Sequence, residues 1–349
     1  MLSTINHSSI DYPNIIHIAL SIGDLTDDYN RHSAVTMLSL MDNCNKERFV
    51  VFHLLHDERL IIGNEEKAKE NIERYEKLIS DYNATIIYHN ISADDKFNEI
   101  PAISTFTINS VFRLYLPELI QDLNKIIYLD CDVVLNIDIS ELYDININDY
   151  SLAAVKRNIP TMPFGWKKYY SSIGLTVDDL FNSGILVFNM EKIRKEHSLV
   201  SEALSFLSEH PNTPFPDQDF LIWTFKGECF WLEKHYNYYP LNFEKDNVST
   251  NAIIHYRSSN NKPWKSYSGS IDDFYWEYFV RTPWAENILD VVSYGRSSPD
   301  RGKLIHSISS WLYREPIRNQ THYIFILSIG LWIKLIKRYI HEIFRRIRG

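Results

Sequence analysis

Two aspartates, Asp130 and Asp132, follow the apolar run Ile126-Ile127-Tyr128-Leu129 and precede Val133-Val134-Leu135. Carboxylates two apart at a strand end can both reach one hard divalent cation, which prefers oxygen ligands and can neutralise a diphosphate. A bare D-x-D also suits a solvated turn, but the apolar flanks favour chemistry, because acids drawn toward an interior need a partner. Phe181-Asn182-Ser183-Gly184 is a polar turn entering the apolar run Ile185 to Phe188. Pro216-Asp217-Gln218-Asp219 precedes Phe220-Leu221-Ile222-Trp223. Standing alone it reads as a helix N-terminus, where acids suit exposed N–H groups and the dipole. His255-Tyr256 closes the apolar run 252–254, and Lys262-Pro263-Trp264 follows. A lone histidine is usually structural; here it can complete a cation site begun by Asp130 and Asp132, with Lys262 meeting phosphate.

Those residues need elements to hold them. Residues 14–22 (NIIHIALSI) read as a buried first strand ending in Gly23-Asp24, and 49–55 as a second. Between them Ala34, Val35, Leu38 and Met41 recur at helical spacing. Residues 65–82 carry Ile72, Tyr75 and Ile79 on one helix face, and 85–88 form a third strand. The pattern predicts a helix over 109–123, in which Pro117 is awkward. Residues 125–129 are a strand running straight into Asp130-Cys131-Asp132. Such alternation implies βαβ units and a mostly parallel sheet, whose ligands sit beyond the carboxyl ends of the strands. Residues 24–29 and 130–132 are therefore the first places for chemistry. Further on, 184–188 and 252–256 read as short strands and 293–302 as a linker.

The chain has 349 residues, of which 45% are hydrophobic and 23% charged, a globular composition. No G-x-G-x-x-G or G-x-x-x-x-G-K-[ST] occurs, which excludes the common dinucleotide and P-loop readings. Cys44, Cys131 and Cys229 lie too far apart for a C-x-x-C zinc site and suit a reducing cytoplasm. The net charge of −9 is divided. Residues 314–349 hold eight Lys or Arg against two acids, while 1–313 hold 28 against 43. An acidic body argues against nucleic-acid binding, and a basic tail points to an anionic partner. Residues 1–14 show no basic region followed by an apolar run, so no signal peptide is expected.

The succession YLDCDVVL, FNSGILVFN, PDQDFL and HY…KPW resembles the retaining bacterial transferases of glycosyltransferase family 8, nearest in function to lipopolysaccharide α-galactosyl- and α-glucosyltransferases. The resemblance implies a GT-A fold, a single Rossmann-like α/β domain with a mixed sheet over residues 14–290, followed by a helical C-terminal region over 291–349. It implies a UDP-hexose donor and a divalent cation, Mn2+ or Mg2+, with Asp130, Asp132 and His255 as ligands. Lys262 would meet the diphosphate, and Ser21, Cys131, Arg113 and Asn182 would line the donor pocket. Asp217 would hold the donor sugar, and Gln218 would face the anomeric carbon. The first loop, GDLTDDYNRHSAV, matches the family through Tyr29, His32 and Ala34 with a small insertion, which leaves Asp24, Asp27 and Asp28 competing for the base. The family's glycine after His-Tyr is replaced, since His255-Tyr256-Arg257-Ser258 stands there, and this puts Arg257 near the phosphates.

A retaining transferase breaks an anomeric C–O bond and rebuilds it on the same face. An amide oxygen such as that of Gln218 is a poor nucleophile, which favours front-face substitution; double displacement would use Asp217. The expected activity is transfer of galactose or glucose to a surface glycan such as lipopolysaccharide. A protein- or self-glycosylating transferase is the alternative, and a non-catalytic nucleotide-sugar-binding protein a third reading. In residues 331–347 Trp332, Leu335, Ile336, Tyr339, Ile340, Ile343, Phe344 and Ile347 recur every three or four positions, with basic residues between them. That is the pattern of a helix lying on an anionic membrane. The uncharged stretch 323–333 is short of the roughly 20 residues that span a bilayer. The expectation is a cytoplasmic enzyme attached peripherally to the inner face of the membrane.

Overall fold

The structure, a computed structural model, describes residues 14–27, 29–91, 108–157, 164–239, 251–257, 262–265 and 271–287. Asp28, Ser258, the expected linker 293–302 and the whole of the expected C-terminal region 291–349 lie outside the described residues. The chain divides into two compact units, Met1–His255 and Tyr256–Gly349.

The first unit is built on β1 (Ile15–Gly23), β2 (Phe49–His56), β3 (Ala84–Asn90), β4 (Lys125–Leu129), β5 (Val133–Leu135), β6 (Leu152–Lys156), β7 (Phe181–Asn189), β8 (Cys229–Leu232) and β9 (Ile253–His255). Seven of them form one sheet in the order β3-β2-β1-β4-β7-β6-β8, and β5 pairs with β9. β1 runs parallel to both β2 and β4, whereas β7 is antiparallel to β4 and β6. The sheet is therefore mixed. β1 is flanked on both sides, which explains its nearly unbroken apolar run. Chain order reverses at β1, between β2 and β4, and sheets of this kind bind ligands at such a switch point, here the carboxyl ends of β1 and β4.

The helix Asn30–Asn43 is buried over all of residues 30–41, polar ones included. Its polar side chains anchor β5: Thr36 donates to the Val133 carbonyl at 2.8 Å, and Ser39 accepts from the Leu135 amide at 3.0 Å. The helix Glu65–Ile79 buries Ala68, Asn71, Tyr75 and Leu78, so its inner face is turned relative to the expected one and leaves Ile72 and Ile79 at the margin. The cause is polar. Asn71 donates to the Leu25 carbonyl at 2.7 Å and the Tyr75 hydroxyl meets Asn30, so both seek the interior for hydrogen bonds.

The expected helix over 109–123 is not continuous. A 3-10 segment, Ile108–Tyr115, leads into the short helix Leu116–Leu119. Pro117 lacks the N–H that a running helix needs, and it is accommodated at the start of a new one. Val111, Phe112, Leu114 and Leu116 are all buried in the core with Tyr128 and Phe188. In the second unit the helix Ile271–Phe279 carries Tyr275, whose ring packs 5.1 Å from that of Trp264. No helix among the described residues is long and apolar enough to cross a membrane.

Candidate active site

β4 ends at Leu129 and β5 begins at Val133, so Asp130, Cys131 and Asp132 make up one short turn. The Asp130 amide donates to the Gly184 carbonyl at 2.7 Å, carrying the β4–β7 ladder one step further. The β5–β9 register sets His255 opposite Val133 and so beside Asp132. Its Nε2 lies 3.2 Å from Asp132 Oδ1 and 3.6 Å from Asp130 Oδ2. On the other side of the ring, Nδ1 is 3.0 Å from Asn237 Oδ1. An amide oxygen only accepts, so Nδ1 donates to Asn237 and Nε2 is the ring nitrogen that faces the carboxylates.

Ligand atoms of Asp130, Asp132 and His255 all lie within 4.8 Å of one another. Two carboxylates and an imidazole held by an outer hydrogen bond fit a divalent cation such as Mn2+ or Mg2+. Gly184 keeps the space open. A Cβ there would stand 2.2 Å from His255 Cε1 and 2.6 Å from Asp130 Oδ2.

Behind the acids sits Arg113, delivered by the 3-10 segment and 4% exposed. Its Nη2 is 3.0 Å from Asp130 Oδ1, its Nε 3.3 Å from Asp217 Oδ2, and its guanidinium lies 4.2 Å from the centre of the Tyr128 ring. Burial opposes the charge on Arg113, but Tyr128 and the carboxylates of Asp130 and Asp217 outweigh it and hold the group above its ordinary range. Asp217 is also raised, above the usual carboxylate range, which for an acid favours the neutral form. Burial is the main cause and Asp130 adds to it, against the pull of Arg113 and a 3.1 Å hydrogen bond from Ser183. Breaking such a buried set by removing one member typically costs about 3–5 kcal/mol.

Asp217 and Gln218 belong to the first turn of the helix Pro216–Thr224, as the acids near an N-terminus suggested, but both side chains are buried in the site. Gln218 Oε1 accepts from Asn182 Nδ2 and from the Ser183 amide, each at 3.2 Å. Asn182 Oδ1 in turn accepts from Asn237 Nδ2 at 3.0 Å, and Asn237 holds His255. An unbroken chain of amides thus links Gln218 to His255. Gln218 Nε2 is buried and has no hydrogen-bond partner, so it presents a donor that the protein itself does not use.

The first loop is built largely from its own polar groups. Asp24 Oδ1 accepts from the Thr26 amide and hydroxyl, both at 2.7 Å, and Asp27 Oδ1 accepts from the Tyr29 amide at 3.1 Å. Asn30 ties the loop down from below, donating to the Asp24 and Asp27 carbonyls. Tyr29 is 37% exposed and meets His32 edge-on. Ser21 donates to the Asn109 carbonyl at 2.6 Å, and the Cys131 thiol approaches the Ser21 carbonyl at 3.3 Å. Gly23, at φ +68°, leaves room for the Asn109 side chain, which a Cβ would meet at 1.8 Å.

The described residues therefore bring together Asp130, Asp132, His255, Arg113, Asn182, Asp217 and Gln218. They set Ser21, Cys131, Asp27 and Tyr29 at the adjoining end of β1. Lys262 belongs to the second unit, where its ammonium stands 5.7 Å from the centre of the Trp264 ring. Sequence reasoning missed Tyr128, Asn237 and the spatial role of Gly184. Gly184 was signalled by its place inside an otherwise bulky strand; Asn237, in the 3-10 turn Lys234–Asn237, carried no signal.

The sequence profile of Glycosyl transferase family 8 matches residues 20–268. General stress protein A of Bacillus subtilis is 26% identical over 291 residues, which cover 77% of this chain and 95% of that protein. The lipopolysaccharide 1,2-glucosyltransferase of Escherichia coli is 29% identical over 187 residues, covering 50% of this chain and 54% of that one. Glycosyltransferase GlyA of Streptococcus pneumoniae is matched over 32% of its length. Among solved structures, the galactosyltransferase LgtC in complex with donor and acceptor sugar analogues superposes with a TM-score of 0.61 at 22% identity, covering 77% of this chain and 99% of that one. The bifunctional glycosyltransferase WbbM gives a TM-score of 0.64 at 21% identity, covering 81% and 53%. These likenesses show a GT-A-like fold.

Proposed function

The chain belongs to glycosyltransferase family 8, and from that membership we propose that it moves galactose or glucose from a UDP-sugar to a surface glycan such as lipopolysaccharide, with retention at the anomeric carbon. The observation that carries the proposal is the convergence of Asp130, Asp132 and His255 beside Gln218. These three residues would hold the cation, Mn2+ or Mg2+, which when bound supplies positive charge against the departing diphosphate. The first-loop motif assigns Tyr29 to the base, and Ser21, Asp27, Asp28 and Cys131 are assigned with it to the nucleotide end. Arg113 and Asn182 frame the donor pocket, and the K-P-W motif assigns Lys262 to the diphosphate.

Gln218 Oε1 is already engaged as an acceptor and its unpartnered Nε2 is a donor, so Gln218 suits holding a sugar oxygen better than attacking carbon. Asp217 Oδ2 is held by Arg113 and Ser183, which suits orientation of the sugar. Both observations support front-face substitution, in which the leaving phosphate takes the proton of the acceptor hydroxyl. The basic region 314–349 is assigned to an anionic membrane surface, beside a lipid-linked acceptor.

The test is UDP release from a panel of UDP-sugars with Mn2+, with and without a glycan acceptor. Release from a UDP-hexose, raised by acceptor and abolished by excess chelator, is the expected result. Undiminished turnover in chelator would sink the cation site, and a glycosyl adduct on Asp217 seen by mass spectrometry would overturn the front-face reading.

A further inference from the structure

β7 is antiparallel to both β4 and β6, so β4 and β6 run the same way; β8 is parallel to β6. The carboxyl ends of β6 and β8 therefore lie on the same edge of the sheet as Asp130. At that edge a cavity of ≈ 450 Å³ opens, lined by Val155, Lys156, Leu232, Glu233, Lys234 and His235. Its floor is apolar, since Val155 and Leu232 are buried. Trp231, the neighbour of Leu232 on this edge strand, is 42% exposed, although large aromatic rings are normally covered. The Lys156 ammonium stands 5.7 Å from the centre of the Trp231 ring, and the Phe181 ring meets the same indole edge-on at 6.5 Å. Phe181 opens β7, and the next residue, Asn182, bonds Gln218. The indole thus packs on the residue that precedes a member of the candidate active site in β7.

The polar lining is of mixed sign. Lys156 pairs with Asp178 at 2.8 Å, and His235 lies 3.5 Å from the exposed Glu233 carboxylate. Such a balance does not suit a polyphosphate, which would collect cations alone. It does suit a carbohydrate. A sugar has an apolar face that can lie on an indole, and hydroxyls that both donate to carboxylate and accept from ammonium and imidazole. From β7 to β8 is two strand spacings, about 10 Å. A sugar on Trp231 is therefore not the one that reacts beside Gln218.

We propose that the exposed Trp231 indole and the cavity beside it, which share Lys156, form an outlying acceptor subsite, holding a sugar residue further along the acceptor chain than the hydroxyl that is glycosylated. The assignment rests on the glycosyltransferase reading above. It predicts that oligosaccharides bind better than monosaccharides, and that Trp231 carries the difference.

The probe is deacylated lipopolysaccharide core oligosaccharide, compared with methyl galactoside and methyl glucoside by titration calorimetry on the full chain in the presence of UDP and Mn2+. The expected result is saturable binding of the oligosaccharide by the wild type, weakened about tenfold or more in Trp231→Ala and largely kept in Trp231→Phe. Binding of UDP and the thermal midpoint, measured on each variant, report that the fold is intact. Equal oligosaccharide binding by wild type and Trp231→Ala, or none by the wild type, overturns the subsite. If the wild type releases UDP from no UDP-hexose yet binds the oligosaccharide through Trp231, the subsite stands and the donor assignment falls.

Discussion

Asp130 serves two neighbourhoods. Its Oδ1 accepts from Arg113 and from the Tyr128 hydroxyl, and its Oδ2 faces His255. Asparagine can keep an oxygen toward the first pair but removes the charge that a cation needs. Asp130→Asn and Asp132→Asn are therefore expected to fold and to lose turnover by about 10²-fold or more. UDP release and thermal unfolding, measured on the same preparations, check both halves of that expectation. Gly184→Ala tests the space rather than the charge. Its added methyl would collide with both His255 and Asp130, so Mn2+ affinity should fall by about 10- to 100-fold, as when an outer-shell support is lost. Manganese titration followed by electron paramagnetic resonance reads this directly, and unchanged affinity would mean that the three ligands do not act together. The acids and His255 could be picked out from residue type and flanking apolar runs. Their mutual approach could not, because it depends on Asn237 and on a missing Cβ, neither of which leaves a pattern along the chain.

The helix Pro216–Thr224 shows how an element aims a site. Asp219, fully buried, accepts from the Phe215 amide, the Thr213 hydroxyl and the Tyr170 hydroxyl at 2.7–3.0 Å, and so clamps the turn that presents Asp217 and Gln218. Burial pushes the Asp219 carboxyl up to about 6, against those three hydrogen bonds. The folded state therefore keeps a proton that the unfolded chain releases near its ordinary value of 3.8. This contribution to stability is fully present below about pH 4 and is lost as the pH rises through 6, by roughly 3 kcal/mol at most. Urea unfolding of wild type and Asp219→Asn across pH 4–7 should show the wild type losing ground to the variant over that interval; parallel curves would remove Asp219 from the account. Elements with long apolar runs, β1, β2 and β4, were legible in the sequence to within a residue or two. The segment Ile108–Leu119 was not, because its apolar spacing fits a helix while Pro117 interrupts the backbone hydrogen bonding. The inner face of Glu65–Ile79 was also misjudged, since Asn71 is buried for its hydrogen bond rather than for its hydrophobicity.

Across the whole molecule, charge is unevenly distributed, with a net +6 in residues 314–349 against −15 in the preceding 313. Each basic residue near an anionic surface contributes about 1 kcal/mol, and salt screens it. Truncation after Arg314 should accordingly release the protein from anionic liposomes while UDP-sugar hydrolysis persists, and high salt should mimic the truncation. Equal flotation of the two proteins with liposomes would refute the attachment. The pairing of β5 with β9 has another consequence, in the order of synthesis. All seven strands of the large sheet are contained in residues up to Leu232, but the third member of the proposed cation site, His255, comes later. At about 5–20 residues per second, a ribosome takes roughly 1–5 s to cover that interval. During those seconds the nascent chain has every strand of its main sheet and two of the three residues proposed to hold the cation. If Asp130, Asp132 and His255 hold a cation as proposed, that capacity is withheld until the last strand of the first unit has been made.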